Sequence, residues 1–209
     1  MISMKLNWSS RSPFARKVMV TAHEAGVAER IMCVPTLVNA ETFNADYARI
    51  NPTGLLPALS LDDGSVLFDS DVICEYLNET FAESRLLPPH GPPRYETLRR
   101  QSLGNAVMDR AVRWLGENFR PPALKSTDVT GACHQWIETT LDALECDVAV
   151  SNTVESRFDL GDIAVATALA YLDFRFAGID WRRSRPNLEA QFAGHAARHS
   201  LQATAFAAS

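Results

Sequence analysis

Few residues in this chain have the type and spacing that chemistry needs. Three serines, Ser9, Ser10 and Ser12, stand just before Pro13. Proline favours the first position of a helix, so Ser12 sits where a hydroxyl caps a helix start. Asp69-Ser70 opens a second helical pattern, and Asp159 with Asp162 has the three-residue spacing of a capping box. The four cysteines, Cys33, Cys74, Cys133 and Cys146, include no C-x-x-C pair and no Cys–His spacing of a zinc site. All four read as buried free thiols. His195 and His199 are four apart, but no third ligand accompanies them, so no metal site is expected.

The elements that would carry these residues follow from punctuation and periodicity. Two hundred and nine residues, at roughly 150 per domain, make one large domain or two small ones. A chain of this length buries about 70% of its unfolded surface without covalent staples. Pro88, Pro89, Pro92 and Pro93, with His90 and Gly91 among them, interrupt the chain and mark a linker over 82–93 between a domain at 1–81 and another at 94–209. In the first domain Met4 to Trp8 reads as a strand. Pro13 then opens a helix with Val18, Met19, Ala22 and Ala25 on one face and Gly26 at its end. Arg30 to Val34 is a second strand, and Glu41 to Ile50 an irregular helical connection. Pro57 to Leu61 and Ser65 to Phe68 flank the turn Asp62-Asp63-Gly64, and helical spacing resumes from Asp69. The order β-α-β-α-β-β-α predicts an α/β thioredoxin-like N-terminal domain.

The second domain reads as all-α, with helices at Tyr95 to Phe119, Ser126 to Ala149, Asp159 to Phe176 and Pro186 to about His199. The third is apolar all round from Ile163 to Leu172, the mark of a fully buried helix. The stretch from Ile163 to Leu172, ten residues with Thr167 among them, is about half a membrane span. With 46% hydrophobic and 22% charged residues and a net charge of −5, neither a basic nucleic-acid footprint nor an acidic disordered tail fits. Lys5, Arg11, Arg16 and Lys17 leave no room for a secretory signal near the start. The expectation is a soluble, cytoplasmic protein with no nucleic-acid or membrane partner.

Four segments together carry a family resemblance. A strand followed by Ser9-Ser10-Arg11-Ser12-Pro13-Phe14-Ala15-Arg16-Lys17-Val18 resembles the opening of glutathione S-transferases. Asn51-Pro52-Thr53-Gly54-Leu55-Leu56-Pro57-Ala58-Leu59 is similar to the family's N-P-x-G-x-x-P-x-L segment. Phe68-Asp69-Ser70-Asp71 is similar to its acidic-residue–Ser motif, and Phe158-Asp159-Leu160-Gly161-Asp162 to its capping-box signature. They occur in the family's order, and the Ser-Pro-Phe wording is similar to serine-type bacterial members and to the tau-like and omega-like classes.

The resemblance implies glutathione as co-substrate, no metal, a small electrophilic substrate and a homodimer. It places a serine hydroxyl against the glutathione sulfur: Ser12 is the first choice, with Ser9 and Ser10 as alternatives. It implies a cis bond before Pro57 that turns the backbone of Leu56 toward the tripeptide. It assigns the γ-glutamyl carboxylate to Ser70, beside Asp69, at a helix start. Phe14 and Trp114 would line the electrophile pocket. Arg11 and Arg16 read as surface charges. Conjugation of glutathione is the first reading; a glutathione-dependent isomerase or dehalogenase, or a non-catalytic glutathione-binding regulator, is the alternative. No cysteine lies within twenty residues of Ser12, which disfavours thiol-transfer chemistry.

Overall fold

The structure, a computed structural model, describes residues 4–39, 42–83, 85–150 and 158–207. It divides into two compact units, Met1–His90 with His199–Ser209, and Gly91–Arg198.

The first unit is built on a four-stranded mixed sheet in the order β2-β1-β3-β4. Strand β1 (Met4–Trp8) pairs parallel with β2 (Ile31–Pro35), Leu6 opposite Cys33. It pairs antiparallel with β3 (Ala58–Ser60), which continues into β4 (Val66–Leu67). The hairpin between β3 and β4 turns at Gly64, whose φ of 85° is a left-handed conformation. Helix α1 (Pro13–Glu24) crosses from β1 to β2 and buries Val18, Met19 and Ala22. Gly26 ends it at φ 73°. The irregular connection contains one short helix, α2 (Ala45–Ala48); Glu41, where it was expected to begin, lies outside the described residues. Helix α3 (Ser70–Phe81) packs on α1, with Ile73, Cys74 and Leu77 fully buried. The layout is the thioredoxin-like one that the punctuation predicts.

Two boundaries differ from expectation. The proline segment does not run to Pro93: α4 (Pro92–Phe119) starts inside it. Both prolines fall in the first turn, where a missing N–H leaves no hydrogen bond unmade. The chain after α3 is also held, because the buried Asn78 Oδ1 accepts from Leu86 N at 2.9 Å and Leu87 N at 3.1 Å. At the far end, α7 (Pro186–Ala196) stops short of His199. A separate turn, α8 (His199–Ala203), packs on α1 and belongs to the first unit.

The second unit is helical among its described residues: α4, α5 (Thr127–Val150), α6 (Leu160–Arg175) and α7. Helix α6 is buried along nearly its whole length, as its apolar circumference predicts. A Cβ at Gly104 of α4 would lie 2.6 Å from the Ala164 carbonyl carbon, so the two helices touch backbone to backbone there. The capping box of α6 is formed. Asp159 Oδ1 accepts from Asp162 N and Asp162 Oδ2 from Asp159 N, both at 3.1 Å. Thr97 Oγ1 donates to Asp159 at 2.7 Å and Arg100 Nη2 approaches it at 2.5 Å.

Candidate functional site

The three serines lie in the turn between β1 and α1, all half-buried. Ser12 is the N-cap of α1, with extended backbone (φ −83°, ψ 120°) and Oγ accepting from Ala15 N at 3.2 Å. A hydroxyl has one donor and two lone pairs. The cap occupies one lone pair, so the proton of Ser12 is still available at the positive end of the helix. Ser9 Oγ accepts from Arg11 N at 3.3 Å and its carbonyl accepts from Ser12 N at 3.0 Å, which closes the turn. Ser10 lies between them in that turn. Phe14, half-buried, follows in the first turn of α1.

Neither described cysteine of this unit competes for the chemistry. Burial pushes the Cys74 thiol up to about 11, and Thr21 Oγ1 donates to it at 3.3 Å. Burial raises Cys33 as well. Both stay protonated at neutral pH. Cys133 is buried, whereas Cys33 is only half-buried and Cys146 is exposed on α5, which corrects the expectation of four buried thiols. A thiol on the outer face of a helix needs no apolar neighbours, and periodicity along α5 puts it there.

The Asn51–Pro57 segment forms a tight loop leading into β3. Gly54 adopts φ 69°, a left-handed conformation open to glycine. The Leu56–Pro57 bond is cis, as expected; the Phe68–Asp69 bond is cis too. Leu56 is half-buried and Pro57 buried. Asp69 N-caps α3, accepting from Asp71 N at 3.0 Å, and Ser70 is 3% exposed in the first turn.

Sequence reasoning missed one residue here. Lys17 is only 1% exposed and its Nζ meets Asp71 Oδ1 at 2.5 Å. The pair fastens the helix that starts at Ser12 to the helix that starts at Ser70, and keeps a buried cation near both. The signal was present: Lys17 is four residues after buried Pro13 and four before buried Thr21, on the inward stripe of α1. Arg16 corrects an expectation. It is buried, not a surface charge, with Nη2 donating to Leu201 O at 2.9 Å and its guanidinium over the Phe206 ring at 4.4 Å. Burial lowers it to about 10, still a cation at neutral pH. Arg11 is exposed, as expected.

In the second unit Trp114 is half-buried on α4, its ring centroid 5.5 Å from His134 and 4.8 Å from Phe176. Among the described residues no cluster of His, Cys, Asp and Glu has the grouping of a metal site. No helix among them is long and apolar enough to cross a membrane.

A thioredoxin-like unit with a serine-capped first helix, followed by a helical unit, defines a class, and comparison with known proteins gives the family. Residues 11–80 match the glutathione S-transferase N-terminal domain and residues 106–190 the glutathione S-transferase C-terminal domain. The GST-like protein YibF of Escherichia coli K12 is 30% identical over 187 residues, 88% of this chain and 90% of that one. The chain therefore belongs to the glutathione S-transferase family. Among solved structures, a glutathione transferase family member from Pseudomonas fluorescens Pf-5 with bound glutathione is 34% identical. It superposes with a TM-score of 0.90, covering 97% of this chain and 98% of that one. A glutathione S-transferase from Methylobacillus flagellatus KT, with glutathione bound, is 34% identical at a TM-score of 0.86, covering 98% and 100%.

Proposed function

We propose that this chain is a glutathione transferase in which Ser12 stabilises the glutathione thiolate for attack on a small electrophile. The observation that carries the reading is the Ser12 hydroxyl. It caps α1 with a lone pair and retains a proton to donate, in a family whose similar solved members hold glutathione. A free thiol has a pKa of about 8.5, so at neutral pH only a small fraction is thiolate. A donated hydrogen bond and the partial positive charge of the helix end both favour the anion. Lys17, buried further along α1, adds positive charge in the same direction, offset in part by its partner Asp71.

Ser9 and Ser10 shape the turn that presents Ser12. The backbone of Leu56, ahead of Pro57, pairs with the cysteinyl unit of the tripeptide in the manner of an added strand. Ser70, with the amides at the start of α3 and the Asp69 cap, receives the γ-glutamyl carboxylate. The acceptor sits beside Phe14, close to the activated sulfur, and holding the two reactants together supplies much of the rate. The working form is a cytoplasmic homodimer.

Two assays test this reading. Calorimetry should show glutathione binding to the purified chain, and a chloro-nitrobenzene acceptor should be conjugated at a rate that rises with pH up to the pKa of the bound thiol. Binding without conjugation of any electrophile tested would replace the enzyme by a glutathione-binding regulator. Absence of binding would end the proposal.

A further inference from the structure

The loop before β3 contains a polar arrangement that the proposed site does not use directly. The Leu55 carbonyl oxygen accepts two hydrogen bonds, from Tyr47 Oη at 2.6 Å and from Asn51 Nδ2 at 2.8 Å. Both donors are deeply buried, Tyr47 at 3% exposure and Asn51 at 1%, although Leu55 itself projects outward at 68%. Asn51 is held in turn, its Oδ1 accepting from Thr53 N at 3.0 Å and Thr53 Oγ1 at 2.8 Å. Thr53 Oγ1 accepts from Leu55 N at 3.3 Å. Tyr47 is fixed by Asn44, whose Oδ1 accepts from Tyr47 N at 3.0 Å. The carbonyl of an exposed residue is thus held by two buried side chains, and its N–H by Thr53, which Asn51 holds in turn. Leu55 has no packing reason for such treatment.

The reason lies in the next residue. A trans peptide unit is planar, and its C=O and N–H point to opposite edges. Fixing the Leu55 oxygen from one side therefore fixes the Leu56 N–H on the other. We propose that Tyr47 and Asn51 are positioning residues, whose two donors grip the Leu55 carbonyl and thereby aim the Leu56 backbone at the bound tripeptide. The inference rests on the glutathione-binding reading above and names the residues that give that site its precision. A loop held by backbone turns alone would rock about Gly54, and part of the binding energy would be spent on ordering it.

Tyr47→Phe is the test, because it removes one donor and keeps the buried ring. Calorimetry on the full chain should show affinity for glutathione falling about tenfold, the scale of one lost hydrogen bond. Affinity for S-methylglutathione should fall by the same factor, since the defect is in the backbone grip and not at the sulfur. At saturating glutathione, kcat and its pH dependence should stay as in the wild type. Ser65→Ala, which removes a hydroxyl from the exposed β3–β4 turn, controls for a general loosening of the unit and should leave affinity unchanged. Affinity of Tyr47→Phe within twofold of the wild type would overturn the inference, as would a loss confined to glutathione and absent for S-methylglutathione. A wild-type chain that binds neither ligand would overturn the underlying reading, and this inference with it.

Discussion

Replacing Asp162 by Ala should destabilise the helical unit and leave the proposed glutathione site intact. Asp162 accepts the Asp159 amide at 3.1 Å in a position where both residues are buried. Losing a helix cap costs about 0.5–2 kcal/mol, and leaving a buried amide without an acceptor adds about 1–3 kcal/mol. Relief of the repulsion between two adjacent carboxyl groups offsets part of this, so the net loss should be about 2–3 kcal/mol. For a chain of this size that lowers Tm by about 4–12 °C, measurable by calorimetry and by urea titration. Asp162→Asn keeps an acceptor and should lose much less. The two variants also separate a pH effect. Burial, reinforced by Asp159, pushes the Asp162 carboxyl up to about 7. Between its ordinary value near 4 and 7 the folded state holds a proton that the unfolded state releases, so stability should fall as pH rises through that window. Asp162→Asn should flatten that decline. A loss below about 0.5 kcal/mol for Asp162→Ala, or weakened glutathione binding in a folded variant, would refute the structural role.

Other substitutions probe the remaining contacts. Gly104→Ala should destabilise by about 1–3 kcal/mol or more, because the new methyl meets the Ala164 backbone, which cannot step aside; thermal unfolding reports it. Arg16→Met should leave the fold intact but speed hydrogen exchange across residues 199–207, since it removes the bond to the Leu201 carbonyl. Lys17→Met should change stability by less than about 2 kcal/mol, as Asp71 is 44% exposed and can turn to water. It should nevertheless raise the thiol pKa of bound glutathione. Light scattering should return twice the chain mass of 23.1 kDa; a monomer at micromolar concentration would remove the homodimer.

Much of the fold was legible because local chemistry agrees with it. Pro13 after Ser12, Gly26, Asp62-Asp63-Gly64 and Asp159 with Asp162 each mark an element end by a mechanism that works within a few residues. The apolar residues on every side of the helix from Ile163 to Leu172, broken only by Thr167, mark a buried helix. The proline segment misled at Pro92 and Pro93, because proline breaks a helix interior but suits a first turn, and spacing alone does not say which applies. Burial of charge was the other failure. Lys17 and Arg16 are adjacent cations that look alike in sequence, and both are buried by partners distant along the chain, Asp71 and Leu201. Tyr47 and Asn51 were passed over for a similar reason. An aromatic four residues before an Asn-Pro reads as packing until its hydroxyl is seen on the Leu55 carbonyl.

The central claim is that the Ser12 hydroxyl holds the thiolate, and the pKa of the bound glutathione thiol measures that directly. Ultraviolet titration of the complex should place it below the free value of about 8.5 in the wild type. In Ser12→Ala it should rise by about one to two pH units, equal to about 1.4–2.7 kcal/mol, with a rate loss of roughly ten- to a hundredfold at neutral pH. Affinity should barely change, because the proposed function gives the grip on the tripeptide to Leu56 and Ser70. A bound-thiol pKa that stays put in Ser12→Ala but rises in Ser9→Ala or Ser10→Ala would move the role to another serine. A pKa unmoved in all three would contradict the mechanism.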